Sequence, residues 1–112
     1  MKIDDILKKD SIIANLAGVN KGEILREITD FLQKQGLIKD KETLLNTLME
    51  REKLGSTGIG ENVAIPHGKS DELSQIITVF GRSLQGVDFE SLDQKPVHFV
   101  CMVIAPSNST GQ

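Results

Sequence analysis

The chain has 112 residues, 38% of them hydrophobic and 26% charged, with a formal net charge of -3. That balance is ordinary for one globular domain with a single core and excludes a disordered or fibrous class. Acidic and basic residues are interspersed and all four aromatics are Phe, so the chain offers neither a basic face for phosphates nor a stacking platform for bases, and nucleic acid is not an expected partner.

The opening Met1-Lys2-Ile3-Asp4-Asp5 carries acids where a signal peptide has a basic start. Ile3, Ile6 and Leu7 suggest a short amphipathic turn, and Ser11 to Leu16 reads as a brief strand with Ile12 and Ile13 in the core. From Lys21 to Gln35, Ile24, Leu25, Ile28, Phe31 and Leu32 recur at helical spacing. Asn20 with Glu23 three residues on resembles a capping box, and Gly36 stands where a C-terminal cap belongs. A second helix is expected from about Lys41 to Lys53: Asp40 can cap it, Leu44, Leu45 and Leu48 share a face, and Gly55 follows its end.

After the loop Gly55-Ser56-Thr57-Gly58-Ile59-Gly60, Asn62 to Ile65 reads as a short strand that Pro66 stops. Ile76 to Phe80 and Val97 to Ala105 are apolar and β-branched, as strands covered on both faces are. Gly86-Val87-Asp88-Phe89 and Asp93-Gln94-Lys95-Pro96 read as turns between them. The run from Val97 to Ala105 is broken by His98 and falls short of the roughly 20 residues of a membrane-spanning helix, so direct insertion into a membrane is not expected. Cys101 has no second cysteine to pair with, and one Cys with two His is too small a set for a zinc site. A reducing cytoplasm fits this usage. Helices followed by buried strands imply an α/β domain. No repeat or linker divides the chain, so residues 1–112 form one unit. A sheet covered on both faces needs more helix than two segments supply, and only the small or polar residues Ser107 to Gln112 follow the last strand. A further C-terminal helical part is therefore expected to be missing from this polypeptide.

His67 is the focus of chemistry, in Val63-Ala64-Ile65-Pro66-His67-Gly68-Lys69. Pro66 fixes its own φ and biases Ile65 towards an extended backbone, which stiffens the mount of the imidazole. Gly68 leaves space beside the ring for a bulky group. An imidazole carries a nucleophilic nitrogen near neutral pH and can take a phosphoryl group on one nitrogen when the other is fixed by a hydrogen bond. Donors for the phosphoryl oxygens could come from the N–H groups of the glycine loop, from Ser56 and Thr57, and from the guanidinium of Arg51. Each feature also has a plainer reading. His67 could be a turn residue, Arg51 a solvated helix end between Met-Glu and Glu-Lys, and the loop a simple connection. His98, mid-strand, reads as a hydrogen-bonded sheet residue and Cys101 as packing.

The run Arg51 to Lys69, Arg-Glu-Lys-Leu-Gly-Ser-Thr-Gly-Ile-Gly-Glu-Asn-Val-Ala-Ile-Pro-His-Gly-Lys, resembles the active-site signature of the enzyme IIA domains of the phosphoenolpyruvate-dependent sugar phosphotransferase system, fructose/mannitol class (type 2). Gly86-Val87-Asp88-Phe89 and Pro96-Val97-His98 to Ile104-Ala105-Pro106 resemble that family's later segments. The resemblance implies a mixed β-sheet flanked by helices, His67 as the phosphorylated residue and Arg51 as the active-site arginine. It implies a histidine-phosphorylated carrier protein as donor and a cysteine of a IIB domain as acceptor, in sugar uptake, with no cofactor and no metal. The family carries a second active-site histidine after the strand that here ends at Pro106, and His98 does not match it. Slower transfer and an apolar sheet face able to drive self-association are the expected consequences. A regulatory IIA-like module, whose phosphorylation state controls a protein partner, is the alternative. A metal-dependent hydrolase using His67 with Glu61, Asp71 or Glu72 ranks last, because those carboxylates lack ligand-like spacing.

Overall fold

The computed structural model describes residues 12–107. The opening turn expected around Ile3, Ile6 and Leu7, and the tail from 108 onwards, lie outside them. The elements in chain order are β1 (Ile12–Ile13), α1 (Lys21–Lys34), α2 (Lys41–Lys53), β2 (Gly58–Gly60), β3 (Val63–Ala64), β4 (His67–Ser70), β5 (Ile77–Val87) and β6 (Val97–Pro106). They build the expected mixed sheet with helices packed on it: the strand order is β1-β5-β6-β3-β2, with β4 also paired to β6.

Both helices begin where the sequence places them. The Asn20 side chain accepts the N–H of Glu23 and the Asp40 side chain accepts that of Thr43, satisfying donors that the first helical turn leaves open. The Glu23 carboxylate reaches Val19 N–H rather than Asn20, so the capping box is shifted by one residue. Ile24, Leu25, Ile28 and Leu32 of α1 are fully buried, and Leu44, Leu45 and Leu48 of α2 nearly so. Each such side chain contributes about 1.5–3 kcal/mol relative to an exposed one. They pack on Val79, Val100, Met102 and Ile104, the inward residues of β5 and β6.

The expectation that both sheet faces are covered is corrected. β6 alternates: Val100, Met102 and Ile104 are buried, while Phe99 is 41% exposed and Cys101, Val103 and Ala105 are half-buried. Both sets are apolar in sequence, so composition could not tell them apart, but among the described residues only one face carries helices. Ile12 is likewise 41% exposed, and only Ile13 packs against the core. The strand after residue 76 is also longer than expected. It runs to Val87 through a register shift between Arg82 and Val87, so Gly86 and Val87 belong to an irregular strand and not to the turn that follows.

β3 and β4 keep one register against β6, with Val63 opposite Phe99 and His67 opposite Val103. Pro66 interrupts the ladder without ending it, because its carbonyl still accepts Val103 N–H at 3.0 Å. Among the described residues β4 has no partner on its outer side, the position where a missing proline N–H costs least. β2 joins β3 through Glu61 and Asn62, both at positive φ (56° and 67°), a two-residue hairpin loop of the kind that matches strand twist.

Candidate functional site

α2 lies beneath β4. A Cβ on Gly68 would stand 3.3 Å from Thr47 Cγ2 and 3.4 Å from Leu48 Cδ2, so this glycine permits the close approach of strand and helix. The space it vacates faces α2, not an incoming group as the sequence suggested. One helical turn beyond Thr47, on the same helix face, Arg51 reaches the first residue of β4. Its Nε donates to His67 Nε2 at 3.2 Å, and its Nη1 donates to the Gly55 carbonyl at 2.9 Å. The two singled-out residues, 16 positions apart, are thus in direct contact.

The other ring nitrogen fixes the tautomer. His67 Nδ1 lies 3.0 Å from the Ile65 carbonyl oxygen. A carbonyl can only accept, so Nδ1 carries the proton, and Nε2 presents a lone pair to the guanidinium N–H. Ile65 is held in turn, its N–H donating to Thr57 O at 3.0 Å. Pro66 is buried while His67 is exposed, so the mount is packed and the ring is open to solvent.

The glycine loop is not an open anion cradle. Thr57 N–H and the Thr57 hydroxyl both donate to the Glu52 carboxylate, Ser56 Oγ donates to Phe89 O at 2.8 Å, and Gly58 N–H donates to Ser56 Oγ. Those hydroxyls and N–H groups are consumed inside the fold, and the loop's direct service to the site is the Gly55 carbonyl that braces Arg51. Glu52 is correspondingly buried, although its charged neighbours gave it the look of a solvated helix end.

His98 lies in β6, its Nδ1 2.8 Å from Ser83 O. The half-buried Cys101 has its thiol pKa pushed up by burial, the opposite of the lowering that activates a thiol nucleophile. The carboxylates weighed for a metal do not converge. Glu72 accepts Lys39 and Asp40 N–H groups, and Glu61 and Asp71 are exposed.

Residues 5–112 match the family model described as the phosphoenolpyruvate-dependent sugar phosphotransferase system, EIIA 2. The chain belongs to this family. Over 105 residues it is 40% identical to the fructose-specific EIIABC component of the phosphotransferase system of Bacillus subtilis, covering 94% of this chain but 16% of that multidomain relative. Over 110 residues it is 34% identical to the nitrogen regulatory protein of Bradyrhizobium diazoefficiens, covering 97% of this chain and 71% of that one. Among solved structures, nitrogen regulatory protein IIA-Ntr from Neisseria meningitidis superposes with a TM-score of 0.83 at 34% identity, over 97% of this chain and 74% of that one. IIA mannitol from Escherichia coli gives 0.76 at 28%, over 91% and 73%. As an EIIA domain the chain is of the phosphotransferase phosphocarrier type. Among the described residues no helix is long and apolar enough to cross a membrane.

Proposed function

We propose that His67 Nε2 accepts a phosphoryl group from a histidine-phosphorylated carrier protein and passes it to a cysteine of a IIB domain during sugar uptake in the cytoplasm. The observation that carries this reading is the pair of hydrogen bonds on one exposed ring: Nδ1–H to Ile65 O and Arg51 Nε–H to Nε2. In the first step Arg51 Nε–H lets go of the lone pair, which attacks phosphorus as the N–P bond of the donor breaks and its electrons return to the donor imidazole. His67 then carries positive charge shared over the ring, and the Ile65 carbonyl on Nδ1–H stabilises it. The guanidinium, tethered through Nη1 to Gly55 O, stays within reach of the phosphoryl oxygens as charge spreads onto them. In the second step a cysteine thiolate forms the S–P bond, the N–P bond breaks, and the lone pair returns to Nε2. Neither step calls for a metal or cofactor. A solved complex of enzyme IIA mannitol with phosphorylated enzyme IIB mannitol from Escherichia coli, at 26% identity and a TM-score of 0.76, supports the choice of acceptor.

Incubation with the phosphorylated carrier protein, followed by site mapping, tests the reading. An acid-labile, alkali-stable adduct lost in His67→Ala and kept in His98→Ala is expected. Label that persists in the His67→Ala variant overturns it. The similarity to nitrogen regulatory proteins favours a second reading, in which the same phosphorylation state controls a protein partner and feeds no transporter. Transfer from phospho-His67 to purified IIB domains separates the two, since only the transport reading requires it.

A further inference from the structure

Glu52 follows Arg51 on α2, and its side chain keeps only 3% of its surface exposed. A carboxylate in that position costs several kcal/mol unless it is bonded on all sides. Oε1 accepts Thr57 N–H at 3.0 Å and stands 3.3 Å from Lys21 Nζ, while Oε2 accepts the Thr57 hydroxyl. Lys21 opens α1 and is itself 9% exposed, its ammonium 5.4 Å from the centre of the Phe89 ring. An ion pair between the two helices is therefore buried directly under the loop that separates α2 from β2.

Both arms of the site depend on what Glu52 holds. Thr57, gripped at its N–H and hydroxyl, offers its carbonyl to Ile65 N–H, and the Ile65 carbonyl in turn takes His67 Nδ1–H. On the other arm, Gly55 N–H donates to the Glu52 main-chain carbonyl at 3.1 Å, and Gly55 O accepts Arg51 Nη1. The segment from Gly55 to Thr57 is thus fastened at each end to one residue.

We infer that Glu52 is a positioning residue for this site: with Lys21 as counter-charge it clamps Thr57, and so sets the Nδ1–H tautomer of His67 and the placement of Arg51. Glu52 bonds to neither the imidazole nor the guanidinium. The consequence for transfer rests on the phosphocarrier reading above, whereas the consequence for the tautomer does not.

The test uses the full chain with nitrogen-15 in its histidines. In the unsubstituted protein the His67 signals should report Nδ1–H. Glu52→Gln removes the charge and one acceptor; the share of the Nε2–H form at His67 should rise several-fold, and kcat for phosphorylation by the phosphorylated carrier protein should fall about tenfold to a hundredfold, with KM changed less. His98, bonded to Ser83 O outside this network, should not move. Should the single variant fail to fold because the buried Lys21 is left with only the exposed Glu90 carboxylate, 3.7 Å away, Lys21→Met/Glu52→Gln removes the charges of both Lys21 and Glu52 and should show the same losses. Thr57→Val should give a smaller loss that Thr57→Ser restores. A folded Glu52 variant whose His67 tautomer and transfer rate both stay within twofold of the parent overturns the inference. If the parent takes no phosphoryl group at all, the functional reading fails, and the tautomer measurement still decides the role of Glu52.

Discussion

His67 and His98 both direct Nδ1 at a main-chain carbonyl, Ile65 O at 3.0 Å in one case and Ser83 O at 2.8 Å in the other. Their second nitrogens meet different surroundings. At His67, Nε2 faces an arginine N–H on an exposed edge strand. At His98 the ring edge lies against the irregular part of β5: a Cβ on Gly86 would come within 3.3 Å of Nε2 and 3.2 Å of Cε1. Among the described residues no guanidinium bonds to that ring. Fixing a tautomer is therefore something this fold does twice, and it does not by itself mark a reactive histidine. An open second nitrogen with a permanent positive charge beside it is what separates the two.

The sharpest way to break this contrast is to remove the charge. Arg51→Ala leaves the His67 ring and its Nδ1 bond in place but takes away the donor that would follow the phosphoryl oxygens. A loss of one such donor costs about 10²-fold in rate, equivalent to roughly 3 kcal/mol in the barrier. Rapid-quench measurement of phosphoryl transfer should show that loss in Arg51→Ala and a change of less than twofold in His98→Ala. Equal rates in Arg51→Ala and the parent would remove the arginine from the distinction between the histidines.

Each histidine also stands beside a glycine, and the two glycines serve different ends. Gly86 has φ +92°, and a side chain there would also meet Pro96 Cβ at 3.1 Å. Gly86→Ala should cost about 1–3 kcal/mol in chemical denaturation while transfer to His67 stays near the parent rate. At Gly68 the backbone is unremarkable and only the gap to α2 is tight. Gly68→Ala should cost about 1 kcal/mol, and by pushing β4 off Thr47 and Leu48 it should lengthen the Arg51 to His67 contact. A several-fold fall in transfer rate is expected from the smaller stability loss, the reverse of Gly86→Ala.

The helical layer was legible because its signals are local. Asn20 and Asp40 cap as their side-chain chemistry requires, and the apolar spacing from Ile24 to Leu48 names the buried face. The site was legible in part. His67 and Arg51 were singled out from residue type and from the resemblance of residues 51–69, but no spacing rule says that a helix end and the start of a strand will meet. Their contact depends on α2 lying under β4, which is long-range packing. Glu52 was overlooked because Arg51 and Lys53 flank it, although Leu44, Leu48 and Glu52 follow one another at four-residue steps and continue the buried stripe. The β2–β3 hairpin escaped because Glu61-Asn62 lacks the glycine that usually announces such a turn. β4 escaped because a proline reads as a stop, which holds for a central strand and not for an edge.

The smallest expected effect concerns a side chain that, like Asn62 with its bond to Pro96 O, ties the approaches to both histidines together. Asp93 accepts Lys95 N–H at 3.1 Å, two residues before β6 begins, and Glu61 N–H at 3.2 Å, in the hairpin that leads to β3. The Lys95 N–H, reinforced by that of Glu61, holds the Asp93 carboxyl below the ordinary carboxylate range. Asp40 is lowered in the same sense, chiefly by the Thr43 hydroxyl. A folded-state pKa below the unfolded value of about 3.9 favours the folded state above that value, and the contribution is lost as pH falls through the folded pKa. Urea midpoints recorded from about pH 6 downward should therefore show Asp93→Asn less stable than the parent near neutrality, with the gap closing below about pH 4. If both carboxylates of this pair matter independently, Asp40→Asn should close its own gap in the same window, and the two effects should add because the residues share no partner. A gap that stays constant down to the acid limit would mean that Asp93 acts through shape alone, and that the two turns are not joined by its charge.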